Sequence, residues 1–287
     1  MRSREALFSV FLRQISRGEN DASSSTCPTM LLGLKRTLRE GLPFLRWRLR
    51  MRKNDRMKRS VDRRLTAMER NPEAAPVIMQ RLLRSMTAED LWCYYLAGPH
   101  YRIPWRGMQM TKFPADLMIY QALIDETRPE VLIEIGTQRG ASALFFASLM
   151  EPYGGRVITL DLLRPAGDMV EAFARANVTF VRGDATAPEI AARVSELVRG
   201  KRCLVLDDGS HRATDVLAAF ERYQSLVPSG GYYVIEDGMS WQICATSPRT
   251  ALTAVDTILR TRSDWRRDMQ FTPFLFFTAV LGVLRRT

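Results

Sequence analysis

The sequence predicts a doubly wound α/β fold, with a mostly parallel sheet covered by helices on both faces, preceded by a helical cover and a basic arm. Five short apolar runs recur at helix-length intervals from Val131 onward. They are rich in Val, Ile and Leu with little alternation, as strands buried on both faces are. The formal charge of +11 is gathered near one end of the chain, which sets an arm apart from a near-neutral body. With 287 residues and 46% hydrophobic content, the chain can bury a sizeable core.

Residues 1–70 alternate basic clusters with isolated apolar positions. Leu7, Phe8, Phe11, Leu12 and Ile15 fall at helical spacing, but without the apolar centre and small-residue cleavage site of a signal peptide. Residues 21–26 (DASSST) have the composition of a flexible connector. Between Lys35 and Arg64 stand thirteen Lys/Arg against three acids, a local excess of ten that accounts for nearly the whole imbalance. Leu42, Phe44, Leu45, Trp47, Leu49 and Met51 interleave with these cations. That mixture suits peripheral contact with an anionic membrane, with a solvated arm or a homo-oligomer contact as the competing readings. Specific nucleic-acid binding is not expected.

Residues 71–128 should form the helical cover: Pro76 to Leu96 turns helical, and Pro114 suits the first turn of a helix over Ala115 to Thr127. Residues 129–287 form the expected core. Its runs are 131–137 (VLIEIGT), 156–162 (RVITLDL), 178–184 (VTFVRGD), 203–209 (CLVLDDG) and 231–237 (GYYVIED). Between the last two, Val216, Phe220, Tyr223 and Val227 make one apolar stripe facing a sheet. The final run, Phe276 to Leu284, is expected as an edge strand. The longest apolar stretch, Phe271 to Leu284, falls short of the roughly 18 residues of a membrane span and carries Pro273 and Gly282.

Cys27, Cys93, Cys203 and Cys244 form no C-x-x-C pair, and His100 and His211 are far apart. A zinc finger and a disulfide framework are therefore not expected, and a reducing, cytoplasmic setting is. His100, in a Gly98-Pro99-His100-Tyr101 turn without an acidic partner, is read as structural.

In open parallel sheets ligands bind beyond the carboxyl ends of the strands, where the strand order reverses. The first run ends in Glu134, Gly136 and Thr137, followed by Gly140 and Ser142. This is a glycine turn into a helix without the full G-x-G-x-x-G dinucleotide fingerprint. Asp161 closes the second run about 25 residues after Gly136, the offset at which an acid receives a ribose diol. Asp184 closes the third run and is placed to accept from an adenine amino group; Asp207 closes the fourth. Taken singly, each acid also suits a helix N-cap or loop.

The fourth and fifth runs end in Asp207-Asp208-Gly209-Ser210-His211 and Glu236-Asp237-Gly238. As neighbours, these strands would bring Asp208, Glu236 and Asp237 together, and a hard divalent cation such as Mg²⁺ would relieve their repulsion. The alternative is helix capping, which needs one acid rather than an adjacent pair. His211 is the expected general base, with Asp208 a catalytic candidate as well as a ligand.

Trp105-Arg106-Gly107, Lys112-Phe-Pro114-Ala-Asp116, Tyr120-Gln121, IEIGTQRGASALF, VLDDGSH and VIEDG together resemble the cephalosporin hydroxylase/rhamnosyl O-methyltransferase family. The DDGSH and ED spacing is also similar to that of metal-dependent macrolide sugar O-methyltransferases. The resemblance runs from about Tyr101 to Arg286. It implies a class I, Rossmann-like methyltransferase fold and S-adenosylmethionine (SAM) held at Glu134, Gly136 and Asp161. It further implies metal carboxylates at Asp208, Glu236 and Asp237, a catalytic histidine at His211, and methylation of a hydroxyl on a sugar or glycosylated natural product. Ala141 stands where the family has a second glycine, and the basic arm has no counterpart. Two alternatives remain: a hydroxylase, which would ordinarily want two histidines on iron, and a non-catalytic membrane-surface protein on this scaffold.

Overall fold

The computed structural model describes residues 55–96, 104–164, 167–238 and 250–287. The expectations for the apolar positions of 5–15, the 21–26 connector, the 35–54 part of the basic stretch, His100, Cys27 and Cys244 lie outside the described residues.

Helix α1 covers residues 55–70. It presses Val61 against Leu82 and Tyr94, with Met57, Leu65 and Met68 alongside, and leaves Arg56, Arg59, Arg63, Arg64 and Arg70 exposed. Part of the basic stretch is thus an amphipathic helix whose apolar side packs against the cover. The helical region expected from Pro76 to Leu96 is two helices, α2 (Ala75–Ser85) and α3 (Ala88–Leu96). Thr87 and Asp90 cap the second: the Thr87 N–H donates to Asp90 and the Asp90 N–H to the Thr87 hydroxyl, both at 3.1 Å. After a short hairpin, β1 (Pro104–Trp105) with β2 (Met108–Gln109), α4 runs from Pro114 to Thr127 with the proline in its first turn.

The core alternates β3 (Val131–Ile135), α5 (Ala141–Met150), β4 (Arg156–Asp161), α6 (Gly167–Arg175), β5 (Val178–Arg182), α7 (Pro188–Leu197), β6 (Cys203–Asp207), α8 (Ala213–Tyr223) and β7 (Tyr232–Ile235). These five strands are parallel and match the five apolar runs. The expected stripe is fully buried, with Val216, Phe220 and Tyr223 on α8 and Val227 just beyond it. Helix α5 is apolar all round and sits in the core on the opposite sheet face, with Leu144, Phe146 and Met150 buried. The helices thus lie on both faces.

Helix α9 (Ala251–Thr261) leads to β8 (Trp265–Arg267) and β9 (Val283–Arg286), giving the sheet order β5-β4-β3-β6-β7-β9-β8. Here the sequence expectation needs correcting. The run Phe276 to Leu284 is not an edge strand: most of it is turns, and its last two residues open β9, which lies between β7 and β8 and is antiparallel to both. Phe277, Ala279 and Val280 are buried inside those turns, which gives the stretch its strand-like composition. The edge at that end is β8, whose three residues are too few to carry a periodic signal.

Candidate active site

Strand order turns at β3, which has β4 on one side and β6 on the other, so the chain's outward winding reverses there. The registers align Ile135 with Leu160 and with Asp207, and Asp207 with Ile235. The next residue of each strand therefore emerges in one row: Asp161, Gly136, Asp208 and Glu236. Main-chain bonds hold the row together, from the Asp208 N–H to the Ile135 carbonyl and from the Glu236 N–H to the Asp207 carbonyl, each at 2.9 Å. Gly136 has a φ of 101°, and a Cβ there would overlap the Asp208 carbonyl; the glycine lets the two loops approach.

At the centre of the row is a carboxylate cluster. Atoms able to ligate a metal on Asp208, His211 and Asp237 all lie within 4.8 Å of one another. His211 Nε2 is 3.3 Å from Asp237 Oδ2. Asp237 holds a left-handed φ of 58°, a strained conformation for a residue with a side chain and one that clusters at functional sites. Glu236 is not in this group. Its carboxylate is buried and accepts from the Lys112 ammonium at 2.5 Å, the Thr278 hydroxyl at 3.0 Å and the Tyr120 hydroxyl.

Lys112 also contacts Asp208 Oδ2, at 2.6 Å. Burial alone would depress its pKa, but the carboxylates of Asp208, Glu236 and Glu134 outweigh that and hold it well above the ordinary lysine value. Burial raises the pKa of Asp208; the Lys112 charge opposes this rise and that of Asp237 adds to it. Sequence reasoning assigned no role in this site to Lys112, Tyr120 or Thr278, the three donors to Glu236. Alone in a loop, a lysine looks like a solvated charge; the usable signal was the set of acids on adjacent strand ends, which demands a cation. Asp116, likewise unassigned, is buried and accepts from the Phe113 N–H at 2.8 Å and the Thr278 N–H at 2.7 Å. It ties the loop before α4 to the segment before β9.

On the β3–β4 side, the Thr159 hydroxyl donates to Glu134 Oε2 at 2.6 Å and lies 2.6 Å from the Thr137 hydroxyl. Burial pushes the Glu134 carboxyl up to about 7, against the charge of Lys112 and the hydroxyls of Ser142 and Thr159. Although Ser142 is close enough to favour the ionised form, Glu134 Oε1 is buried without a hydrogen bond of good geometry. Asp161 accepts the N–H of Gln138 at 2.9 Å on one oxygen and of Leu163 at 3.0 Å on the other, leaving lone pairs on both. Gly140, at φ 79°, begins α5 beneath Met169 and Phe173 of α6.

Two expected cofactor residues do not join this group. Asp184 accepts the N–H and hydroxyl of Thr186, both at 2.8 Å, in a turn ahead of α7. Asp207 shares the sheet face of Val205 and Tyr233 with the α8–α9 layer, accepting from Tyr233 Oη at 3.3 Å and the Gly209 N–H at 3.4 Å. Burial raises its carboxyl to about 7. The physical reason is strand alternation: Asp208, one residue on, points to the opposite side.

Residues 98–287 match the family model described as Rhamnosyl O-methyltransferase/CmcI. The chain belongs to this family. A rhamnosyl O-methyltransferase of Mycobacterium leprae is 33% identical over 138 residues, 46% of this chain and 59% of that protein. One from Mycobacterium tuberculosis strain H37Rv is 34% identical over 136 residues, 46% of this chain and 55% of that protein. The alignments thus span little more than half of these relatives. A solved structure of CmcI with Mg and SAM superposes with a TM-score of 0.52 at 24% identity, over 66% of this chain and 78% of that one. The likeness shows a class I methyltransferase fold. The family match takes in Lys112, the glycine turn and every carboxylate of the cluster.

Proposed function

We propose that this chain is a SAM-dependent, divalent-metal-assisted O-methyltransferase acting on a hydroxyl of a sugar or glycosylated natural product, a rhamnosyl acceptor above all. The observation that carries the reading is the convergence of Asp208, His211 and Asp237 within 4.8 Å, beside the Gly136 turn. Two carboxylates beside one imidazole, with no thiol in the group, offer mainly hard oxygen donors, so the residues fit Mg²⁺. The buried, unpartnered Glu134 Oε1 and the free lone pairs of Asp161 fit SAM. Glu134, Gly136, Thr137, Gly140, Ser142 and Asp161 would hold that cofactor. Asp184, despite its bond to Thr186, keeps capacity for an adenine amino group.

When bound, SAM supplies an electrophilic methyl group, and a divalent ion lowers the pKa of the acceptor hydroxyl. His211 takes the hydroxyl proton, and the Asp237 carboxylate orients its ring. Hydroxylation is disfavoured, because among the described residues His211 is the single histidine in the cluster, where a facial iron triad uses two. The exposed arginines of α1 support a peripheral contact with anionic lipid. Among the described residues no helix is long and apolar enough to cross a membrane.

Asp161→Ala tests the cofactor half of this reading. Hydrogen bonds to a charged group are worth about 1.5–3 kcal/mol, so SAM affinity by calorimetry should fall roughly 10- to 150-fold. Unchanged affinity in a folded variant would remove Asp161 from the site.

A further inference from the structure

Lys112 has no part in the chemistry proposed for His211 and Asp237. Its side chain is 4% exposed and bridges Asp208 Oδ2 at 2.6 Å and Glu236 Oε1 at 2.5 Å, with the Tyr120 ring 5.8 Å from the ammonium. The loop that carries it is fixed on both sides. The Thr111 hydroxyl donates to Gln138 in the glycine turn. Phe113 packs among Trp92, Tyr95 and Phe276, with ring centroids 5.2–5.4 Å away. The ammonium is therefore delivered to the cluster by the fold, not resting there as a loose surface charge.

Asp208 is shared between two sets of partners. It meets Lys112 through Oδ2, and its ligand atom also lies with those of His211 and Asp237. Glu236 belongs to the first set alone, held by Lys112, Tyr120 and Thr278. A divalent cation bridging Asp208 and Glu236 would meet the ammonium between the same carboxylates, and two cations in contact away from water repel strongly. We infer that Lys112 is a built-in competitor for the divalent ion: it neutralises Asp208 and Glu236 when no ion is bound, and must release them before Glu236 can join the ligand set. The inference rests on the metal-assisted reading proposed above. Two consequences follow for the chain itself: the acid cluster is tolerated without metal, and metal affinity is lower than the three carboxylates would give unopposed.

Titration calorimetry with Mg²⁺ on the full chain tests this, comparing wild type with Lys112→Met and Lys112→Gln, the latter keeping a donor for the carboxylates while removing the charge. A unit charge at contact distance shifts a carboxylate's proton affinity by about 10- to 1000-fold. Mg²⁺ affinity should accordingly rise on the order of tenfold or more in both variants, and Mg²⁺ should raise their melting temperatures more than that of wild type. Acetylation of Lys112 in the wild-type chain, followed by mass spectrometry, needs no variant to fold: it should be faster with Mg²⁺ than without. Equal or weaker Mg²⁺ binding in folded variants, or acetylation indifferent to Mg²⁺, would overturn the competition alone. If neither wild type nor variants bind Mg²⁺, the metal-assisted reading fails and the inference with it.

Discussion

His211→Ala should lower kcat by about 10²- to 10⁴-fold, the usual contribution of a positioned acid or base, and excess Mg²⁺ should not restore it. The imidazole lies in the carboxylate cluster, 3.3 Å from Asp237, where it could in principle ligate an ion or move a proton. Metal rescue separates the two. A lost ligand weakens binding, and mass action offsets weakened binding; a lost base leaves the hydroxyl proton with no acceptor at any metal concentration. SAM affinity should stay nearly unchanged, because Glu134 and Asp161 belong to the other side of the row. Recovery of activity at high Mg²⁺ would make His211 a ligand, and undiminished activity would remove it from the chemistry.

Glu236→Gln and Asp237→Asn should differ in kind, although the residues are adjacent. Glu236 is buried and receives Lys112, Tyr120 and Thr278. Its neutralisation leaves the buried ammonium with Asp208 as its remaining carboxylate contact. Breaking a buried pair costs about 3–5 kcal/mol; with one partner kept, roughly 3 kcal/mol of stability should be lost, several degrees in melting temperature for a chain of this size. Asp237 is 19% exposed and faces His211. Asp237→Asn should therefore leave stability almost intact, lower activity and respond to added Mg²⁺. Denaturant unfolding beside a Mg²⁺ titration reads both. Equal destabilisation by the two substitutions would contradict the division of the cluster into a Lys112 side and a His211 side.

The five parallel strands were legible because each is short, apolar and followed by a helix-length stretch, and because each has a polar residue or glycine at its last position or just beyond it. The same regularity placed Asp161, Asp208 and Glu236: strands in register end level, so acids at matching positions meet. What the sequence hid is whatever depends on partners far along the chain. Lys112 lies 96 residues from Asp208 and 124 from Glu236, and although it opens the Lys112-to-Asp116 stretch that carries the resemblance, nothing local shows that it meets those acids. The repulsion among the acids was legible, yet Mg²⁺ is not the only cation that answers it. Asp207 and Asp208 are expected in different roles at one strand end, and strand alternation places them on opposite faces, with Asp207 on the α8–α9 side. Similarly, β9 escaped because its pairing with β7 and β8 is set by turns at Phe277 to Gly282, whose buried apolar residues imitate a strand.

Methyl transfer itself is the deciding observation. The full chain, incubated with SAM carrying a labelled methyl and with a rhamnoside acceptor, in Mg²⁺ and again after chelation, should place the label on one sugar hydroxyl as a methyl ether in the first case and lose most of that product in the second. Undiminished labelling in the metal-free protein would contradict metal assistance, and a folded chain that neither binds SAM nor labels any hydroxylated acceptor would contradict the assignment as a methyltransferase.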